Sequence, residues 1–181
     1  MALVDFSNLT VDAVQEDNIA GNHGWFGVIL AKNFATEYPV EADITAGEIT
    51  GSPVARLGAK EFAKIEVPQN AVVFDSEDNS PAPGHNNIDH IMKFKWAGMK
   101  KEAQAAMRKF KNAPCVFIVP GADGNHYLVG SSVNGIIVKA KGTSGMVGTD
   151  QRGFDFEGRS SGHRDHPLPI SAATLALIPW V

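Results

Sequence analysis

Two short clusters of histidine and aspartate are the residues in this sequence best suited to holding a metal ion. The first cluster holds His85, Asp89 and His90, and the second holds His163, Asp165 and His166. Imidazole and carboxylate groups are common zinc ligands, but neither spacing matches a metalloenzyme motif such as H-E-x-x-H on one helix. A metal site would therefore need the two clusters to meet in the fold. Histidines solvated in turns are the simpler interpretation, and we predict no metal and no cofactor.

Other residue patterns that support catalysis are weak. The sequence has no G-x-S-x-G nucleophile motif, and its serine pairs at 131–132 and 160–161 stand next to glycines, where serine is common in turns. Glycines recur every third residue from 142 to 148, but no lysine follows in the position that a phosphate-binding loop requires. The single cysteine, Cys115, lies in an apolar run, which favours a buried and inert thiol. We therefore expect no enzymatic activity and no catalytic residues.

The charged residues are strongly segregated along the chain, although the net charge is only −4. Residues 1–91 hold four basic and fourteen acidic side chains, whereas residues 92–113 hold seven basic side chains and one acidic. A net negative chain is atypical of a basic nucleic-acid-binding protein. The basic segment is either a solvated helix face or a patch that meets an acidic surface, on nucleic acid or on another copy. Because unlike patches attract, segregated charge favours head-to-tail self-association.

Two neighbouring segments show clear periodicity. Apolar side chains alternate with mostly charged ones over residues 88–96, which predicts a half-buried β-strand. Over residues 99–111 the period changes to that of an amphipathic helix, and Pro114 prevents its continuation. The apolar stripe of this helix, which we expect to face the protein's own core, consists of Met99, Ala103, Ala106, Met107 and Phe110.

The rest of the sequence is rich in turn residues and short apolar runs, with 18 glycines and 10 prolines. Strands are predicted at residues 25–31, 61–67, 71–74, 115–119, 126–130, 135–140 and 154–156, with a last apolar segment at 168–178. Polar composition predicts loops at residues 76–87 and 157–167 and an extended loop region near 36–60. We predict a single domain over residues 1–181 and a mainly β fold. It is a β-sandwich or barrel of about eight strands with one amphipathic α-helix packed on it.

An ordered series of segments in the second half of the chain resembles a known family. It runs through the strand Lys93-Phe94-Lys95-Trp96, the basic helix up to Lys111, Asn112-Ala113-Pro114-Cys115-Val116-Phe117-Ile118-Val119, a glycine turn, His126-Tyr127-Leu128-Val129-Gly130-Ser131-Ser132, the loop over 142–150 and the alternating strand at Phe154 and Phe156. This series is similar to the tail tube proteins of tailed bacteriophages, which themselves resemble the tubes of contractile injection systems. The resemblance covers residues 88–160 well and the first half of the chain loosely.

The resemblance implies a structural virion protein, assembled in the host cytoplasm, that forms homohexameric rings stacked into a hollow tail tube. Its partners would be other copies of itself, the tape measure, terminator and sheath proteins of the tail, and double-stranded DNA in transit. No membrane partner is implied, and no stretch approaches the roughly 20 apolar residues that a membrane span needs. The family supplies no catalytic residues to carry over.

In this interpretation the basic helix lies outside the lumen and contacts acidic loops of an adjacent copy. The predicted inter-subunit contacts are Lys100, Lys101, Arg108 and Lys109. A positive lumen lining would retain DNA through its phosphates, which argues against placing these cations inside the tube. Two other functions remain open: another capsid- or tail-associated minor virion protein, and a small metal-dependent enzyme or ligand-binding β-barrel.

Overall fold

The computed structural model of the chain describes residues 24–68, 71–82, 86–97, 101–121, 123–143 and 153–181. Its strands are β1 (Trp25–Leu30), β2 (Ile44–Thr45), β3 (Glu48–Ile49), β4 (Ala63–Glu66), β5 (Val72–Asp78), β6 (Ile88–Ala97), β7 (Pro114–Pro120), β8 (His126–Val129), β9 (Ile136–Thr143), β10 (Gly153–His163) and β11 (Leu168–Ile170). Its helices are α1 (Val54–Leu57), α2 (Lys101–Phe110) and α3 (Ala172–Leu177). The prediction of a mainly β protein is confirmed.

The strands form one open mixed sheet in the order β2-β3-β11-β8-β7-β9-β10-β6-β5. Two further strands lie off this order: β1 pairs with β7, and β4 pairs with β1. Among the described strand pairs, β3 and β11 run parallel and the others antiparallel, and one isolated parallel bridge joins Phe62 to Trp180. The described residues thus contain eleven strands and three helices, against about eight strands and one helix expected from the sequence.

Both faces of β1 and of β7 are covered by apolar side chains, so these two strands lie at the centre of the protein. Their side chains alternate between two apolar clusters, as expected for continuous apolar strands buried on both sides. One cluster, here called the aromatic core, contains Phe26, Phe94, Trp96, Phe110, Phe117 and Phe156. The second cluster contains Ile29, Phe34, Tyr38, Phe62, Val116 and Ile118. The chain therefore builds its core around these two strands.

Both periodic segments adopt the predicted structure. β6 covers the predicted strand, with Phe94 and Trp96 buried and Lys93 and Lys95 exposed. α2 covers most of the predicted helix, and it buries Phe110 and Ala106 and half-buries Met107. The other two members of the stripe are not described by the structure: Met99 lies outside the described residues, and so does the side chain of Ala103.

The predicted loop at 157–167 is wrong over its first seven residues, because β10 continues to His163. Gly158 explains the misleading composition. A Cβ atom there would lie 2.6 Å from Cγ2 of Ile136, so the strand needs glycine for close packing rather than for a turn. Similarly, the loop predicted from residue 76 begins only after Asp78, the last residue of β5.

Two regions form more regular structure than their composition suggests. The end of the last apolar segment forms α3, whose first turn is capped by the Ser171 side chain accepting a hydrogen bond from the Thr174 backbone N–H. The region near 36–60 contains β2, β3 and α1, and an ion pair between the buried Asp43 and the half-buried Arg56 holds it together. Arg56 donates to both carboxylate oxygens of Asp43, at 2.6 and 2.8 Å. The Tyr38 hydroxyl donates to the Gly51 carbonyl at 3.0 Å.

Candidate functional site

The fold brings together one histidine from each of the two clusters in the sequence. His90 on β6 and His163 at the end of β10 stack face to face, with ring centroids 3.8 Å apart and an interplanar angle of 3°. Both rings are buried. His85 lies outside the described residues. A metal site would require the two clusters to meet, and the structure shows such a meeting for His90 and His163.

The hydrogen bonds of this pair identify His90 as a neutral ring. The Gly130 backbone N–H donates to Nδ1 of His90 at 3.0 Å, so Nε2 carries the proton and donates to the Asp165 carbonyl at 2.8 Å. Nε2 of His163 lies 2.7 Å from the Ser160 hydroxyl. Within the described ranges, no group of three or more histidine, cysteine, aspartate or glutamate residues is placed to hold a metal ion.

Acid should destabilise the protein through this pair. Burial, with the neighbouring His90 ring as a second cause, lowers the pKa of His163 to about 4, and burial also lowers the pKa of His90. An unfolded chain takes up these protons near pH 6.5, so it binds more protons than the folded chain below that pH. The free energy of unfolding should therefore stay constant above pH 6.5 and fall by about 2–3 kcal/mol towards pH 4.

Urea unfolding of wild type and His163→Phe across this pH range measures the effect. Phenylalanine keeps a flat ring in the stack but cannot be protonated, so its stability should fall less steeply between pH 6.5 and 4. The carboxylates titrate alike in both proteins, which leaves the difference between the two curves to His163. Parallel curves would show that the stacked pair is not a neutral pair in the folded protein.

An open cleft of about 370 Å³ lies beside the stacked histidines. Apolar side chains from four strands or turns contribute to its lining: Ile44, Ile49, Leu128 and Leu168. Its acidic lining residues are Glu37, Glu41 and Asp165. Arg164 forms an ion pair with Glu41, whereas Glu37 and Asp165 form no ion pair with any described residue. The lining of the cleft is therefore partly apolar, and its charged side chains carry a net negative charge.

The strands β5, β6, β10 and β9 present a second feature, an exposed face of alternating charge. One row of register partners across the four strands is Val73, Lys93, Glu157 and Lys139. The next row is Lys95, Asp155 and Lys141. These side chains are exposed, and each lysine lies beside a carboxylate on a neighbouring strand. Sequence reasoning missed this face, although the lysines at 139 and 141 have the period-two spacing of an exposed strand face.

Both outer edges of this four-stranded section lack a continuous partner strand among the described residues. Within the part of the chain that the structure describes, β5 pairs with β6 alone. β9 pairs with β7 only through Ile136 and Ile137, so the edge from Val138 to Thr143 has no strand beside it in the described part of the chain. The edge strands β2 and β4 are shorter, with two and four residues. Among the strands of the described residues, β5 and β9 therefore present the longest edges without a partner strand.

The residues predicted as inter-subunit contacts lie on or next to α2. Lys101 and Arg108 are exposed, Lys109 is half-buried, and Lys100 lies outside the described residues. α2 packs near β9. α2 packs on the aromatic core, and Lys101, Arg108 and Lys109 are not among the residues that line the acidic cleft.

Comparisons with protein families, with curated proteins and with solved structures find no match. Among the described residues, no helix is both long and apolar enough to cross a membrane.

Proposed function

We propose that this chain is a structural subunit that assembles edge to edge into rings of a phage-type tail tube. The observation that carries the proposal is the pair of long strand edges, on β5 and β9, at the two ends of one charged four-stranded section. Unpaired strand edges are templates for pairing with another chain. When the two edges of one copy pair with unlike edges of its neighbours, the contact is head to tail, and a suitable rotation closes it into a ring.

Strand direction and charge both support pairing of β5 with β9. β9 runs parallel to β6, and β5 runs antiparallel to it, so a β5 strand added beside β9 continues the antiparallel pattern. In a register that continues the rows of the sheet, Asp75 at the β5 edge lies diagonally across from Lys139 at the β9 edge of the neighbouring copy. Opposite charges on adjacent strands attract each other across such a contact.

Ring contacts in the aromatic core support a sandwich arrangement, in which the charged section packs over β1 and β7. Phe94 of β6 lies 4.7 Å from Phe26 of β1 and 6.4 Å from Phe117 of β7, measured between ring centroids. The charged face is then the outer face of its layer, and we assign it to the lumen. Its lysines are interleaved with carboxylates, so DNA meets little net positive charge that would retain its phosphates.

The resemblance of residues 88–160 to tail tube proteins supports the remaining parts of the proposal. These parts are rings of six copies, stacking of rings into a tube that conducts DNA, and contacts with tape measure, terminator and sheath proteins in the virion. The role is structural, without a catalytic residue, a metal or a cofactor.

Sedimentation of the full-length protein over a range of concentrations tests the proposal. Wild type should form a discrete ring-sized species at micromolar concentration, and the double variant Lys139→Glu/Lys141→Glu should need about tenfold more protein, because about 1.4 kcal/mol of attraction is lost. Lys95→Glu is the control, a charge reversal on the same exposed face but on β6, where Lys95 pairs with Asp155 of the interior strand β10. A protein that stays monomeric at all concentrations, and with tail-initiating partners present, would refute the proposed function.

A further inference from the structure

We infer that the acidic cleft is the docking site for the basic C-terminal end of α2 from a neighbouring copy. This inference rests on the proposed function and specifies the partner of a site that edge pairing alone leaves unassigned. The basic end of α2 consists of Arg108, Lys109 and Lys111, of which Arg108 and Lys111 are exposed.

The cleft lies at the β5 edge of the molecule. His166, one of its lining residues, has Nδ1 at 2.7 Å from the hydroxyl of Ser76 in β5. Phe74 of β5 also contacts Tyr127 of β8, with ring centroids 5.0 Å apart, so β5 lies against the strands that border the cleft. A chain that pairs with the β5 edge therefore arrives next to the cleft.

α2 lies at the opposite, β9 edge. It packs near β9, and it ends at Phe110, four residues before Pro114, which is the register partner of Ile137 in β9. The basic end of the helix is thus connected by a short turn to the start of the β9 edge. In a head-to-tail ring, the β9 edge of one copy and its α2 face the β5 edge and the cleft of the next copy.

The register places both features at the same level along the strands. Asp75, Ile91, Arg159 and Ile137 are register partners in one row across β5, β6, β10 and β9. Ser76 follows Asp75 in β5, and its hydroxyl contacts His166, which lines the cleft. The turn after α2 leads to Pro114, the register partner of Ile137. Because β7 already occupies the β9 edge at Ile136 and Ile137, edge pairing that continues these rows joins residues 72–74 of one copy to residues 138–140 of the next. Asp75 and Ser76 then extend past the free edge towards the turn that follows α2, which brings the end of that helix to the cleft.

The chemistry of the cleft fits long cationic side chains. Lysine and arginine pack their methylene stems on apolar surface and keep the charged group at a polar rim. The cleft offers apolar lining from Ile44, Ile49 and Leu128 together with the carboxylates of Glu37 and Asp165. An anionic ligand would be repelled by these carboxylates, so a basic segment is the occupant that the lining favours.

Cross-linking between copies tests the docking directly. In Glu37→Cys/Lys111→Cys, a short flexible bismaleimide should join neighbouring copies into a ladder on a denaturing gel that ends at the ring size. The native Cys115 is fully buried and burial raises its thiol pKa, so it does not compete. The matched control is Glu37→Cys/Lys101→Cys. The docking assigns the contact to the C-terminal end of the helix and so gives up the contact expected from the sequence at Lys101, at the other end, which should give no ladder.

A charge exchange provides the second measurement. Arg108→Glu/Lys111→Glu should raise the protein concentration needed for assembly about tenfold at low salt, and adding Glu37→Lys should restore much of the loss. Wild-type rings with neither a ladder nor an effect of charge reversal would overturn the docking while the proposed function stands. Absence of rings from wild type would overturn both.

Discussion

Replacing Phe110 by alanine should lower the free energy of unfolding by about 3–5 kcal/mol, the usual cost of removing a buried aromatic ring. Phe110 is 1% exposed and is the main anchor of α2 in the aromatic core. Its ring centroid lies 5.5 Å from that of Phe94, 5.8 Å from Phe156 and 6.4 Å from Phe117, the last in a stacked arrangement. Alanine leaves a cavity among these rings, which the surrounding strands are too well packed to fill.

Urea denaturation of Phe110→Ala and wild type measures this loss. Gln104→Ala is the control, because Gln104 is exposed on the same helix and its replacement should change stability by less than about 0.5 kcal/mol. If Phe110→Ala were as stable as wild type, the apolar stripe of α2 would face a partner instead of the protein's own core.

Removing the Arg56 side chain should cost a similar amount, about 3–5 kcal/mol, through electrostatics rather than packing. Asp43 is 6% exposed, and Arg56 donates to both of its carboxylate oxygens. In Arg56→Ala the carboxylate stays buried with a hydrogen bond from the Val40 backbone N–H but without its countercharge. The variant also loses the stacking of the guanidinium on the Tyr38 ring, at 5.3 Å from the ring centroid.

Lys93→Ala supplies a matched comparison for this prediction. Its ion pair with Asp75 spans 3.4 Å and is exposed on both sides, so its loss should cost only about 0–1 kcal/mol. Thermal or urea unfolding of both variants should therefore separate them by several kcal/mol. Equal effects would mean that the Asp43 carboxylate has access to water, in which case the region near 36–60 is not held by a buried charge pair.

Local periodicity was sufficient to predict the elements that pack one face on the core. The alternation over 88–96 predicts β6 because every second side chain there enters the aromatic core, and the helical stripe ending at Phe110 predicts α2 for the same reason. Pro114 fixes the end of the helical segment, and Asn112 adopts a left-handed backbone conformation, with φ of 54°, just before it. Such signals lie within a few residues of the element that they specify.

The elements that sequence reasoning missed depend on contacts between distant residues. The glycine in the middle of β10 indicates a loop unless its close approach to Ile136 is known. The strands in the region near 36–60 are short, and the Asp43–Arg56 pair that holds them spans thirteen residues. α3 was missed for a different reason, because its apolar residues follow a proline-bearing strand and show no helical stripe of their own.

The candidate site was visible only in fragments. The sequence identified both histidine clusters but not that His90 would stack on His163, because that contact requires the antiparallel register of β6 and β10. The segregation of charge identified the basic helix, whereas the acidic cleft is assembled from four separate stretches of chain. Strand edges cannot be read from a sequence at all, since an edge is defined by which neighbours a strand lacks.

Electron cryo-microscopy of the full-length protein tests the central claim most directly, because it shows both whether rings form and which strands join the copies. The account predicts closed rings, of six copies according to the resemblance, in which β5 of each copy pairs antiparallel with β9 of the next. Particles that remain monomeric at micromolar concentration and above, or rings joined through surfaces other than these two edges, would contradict it.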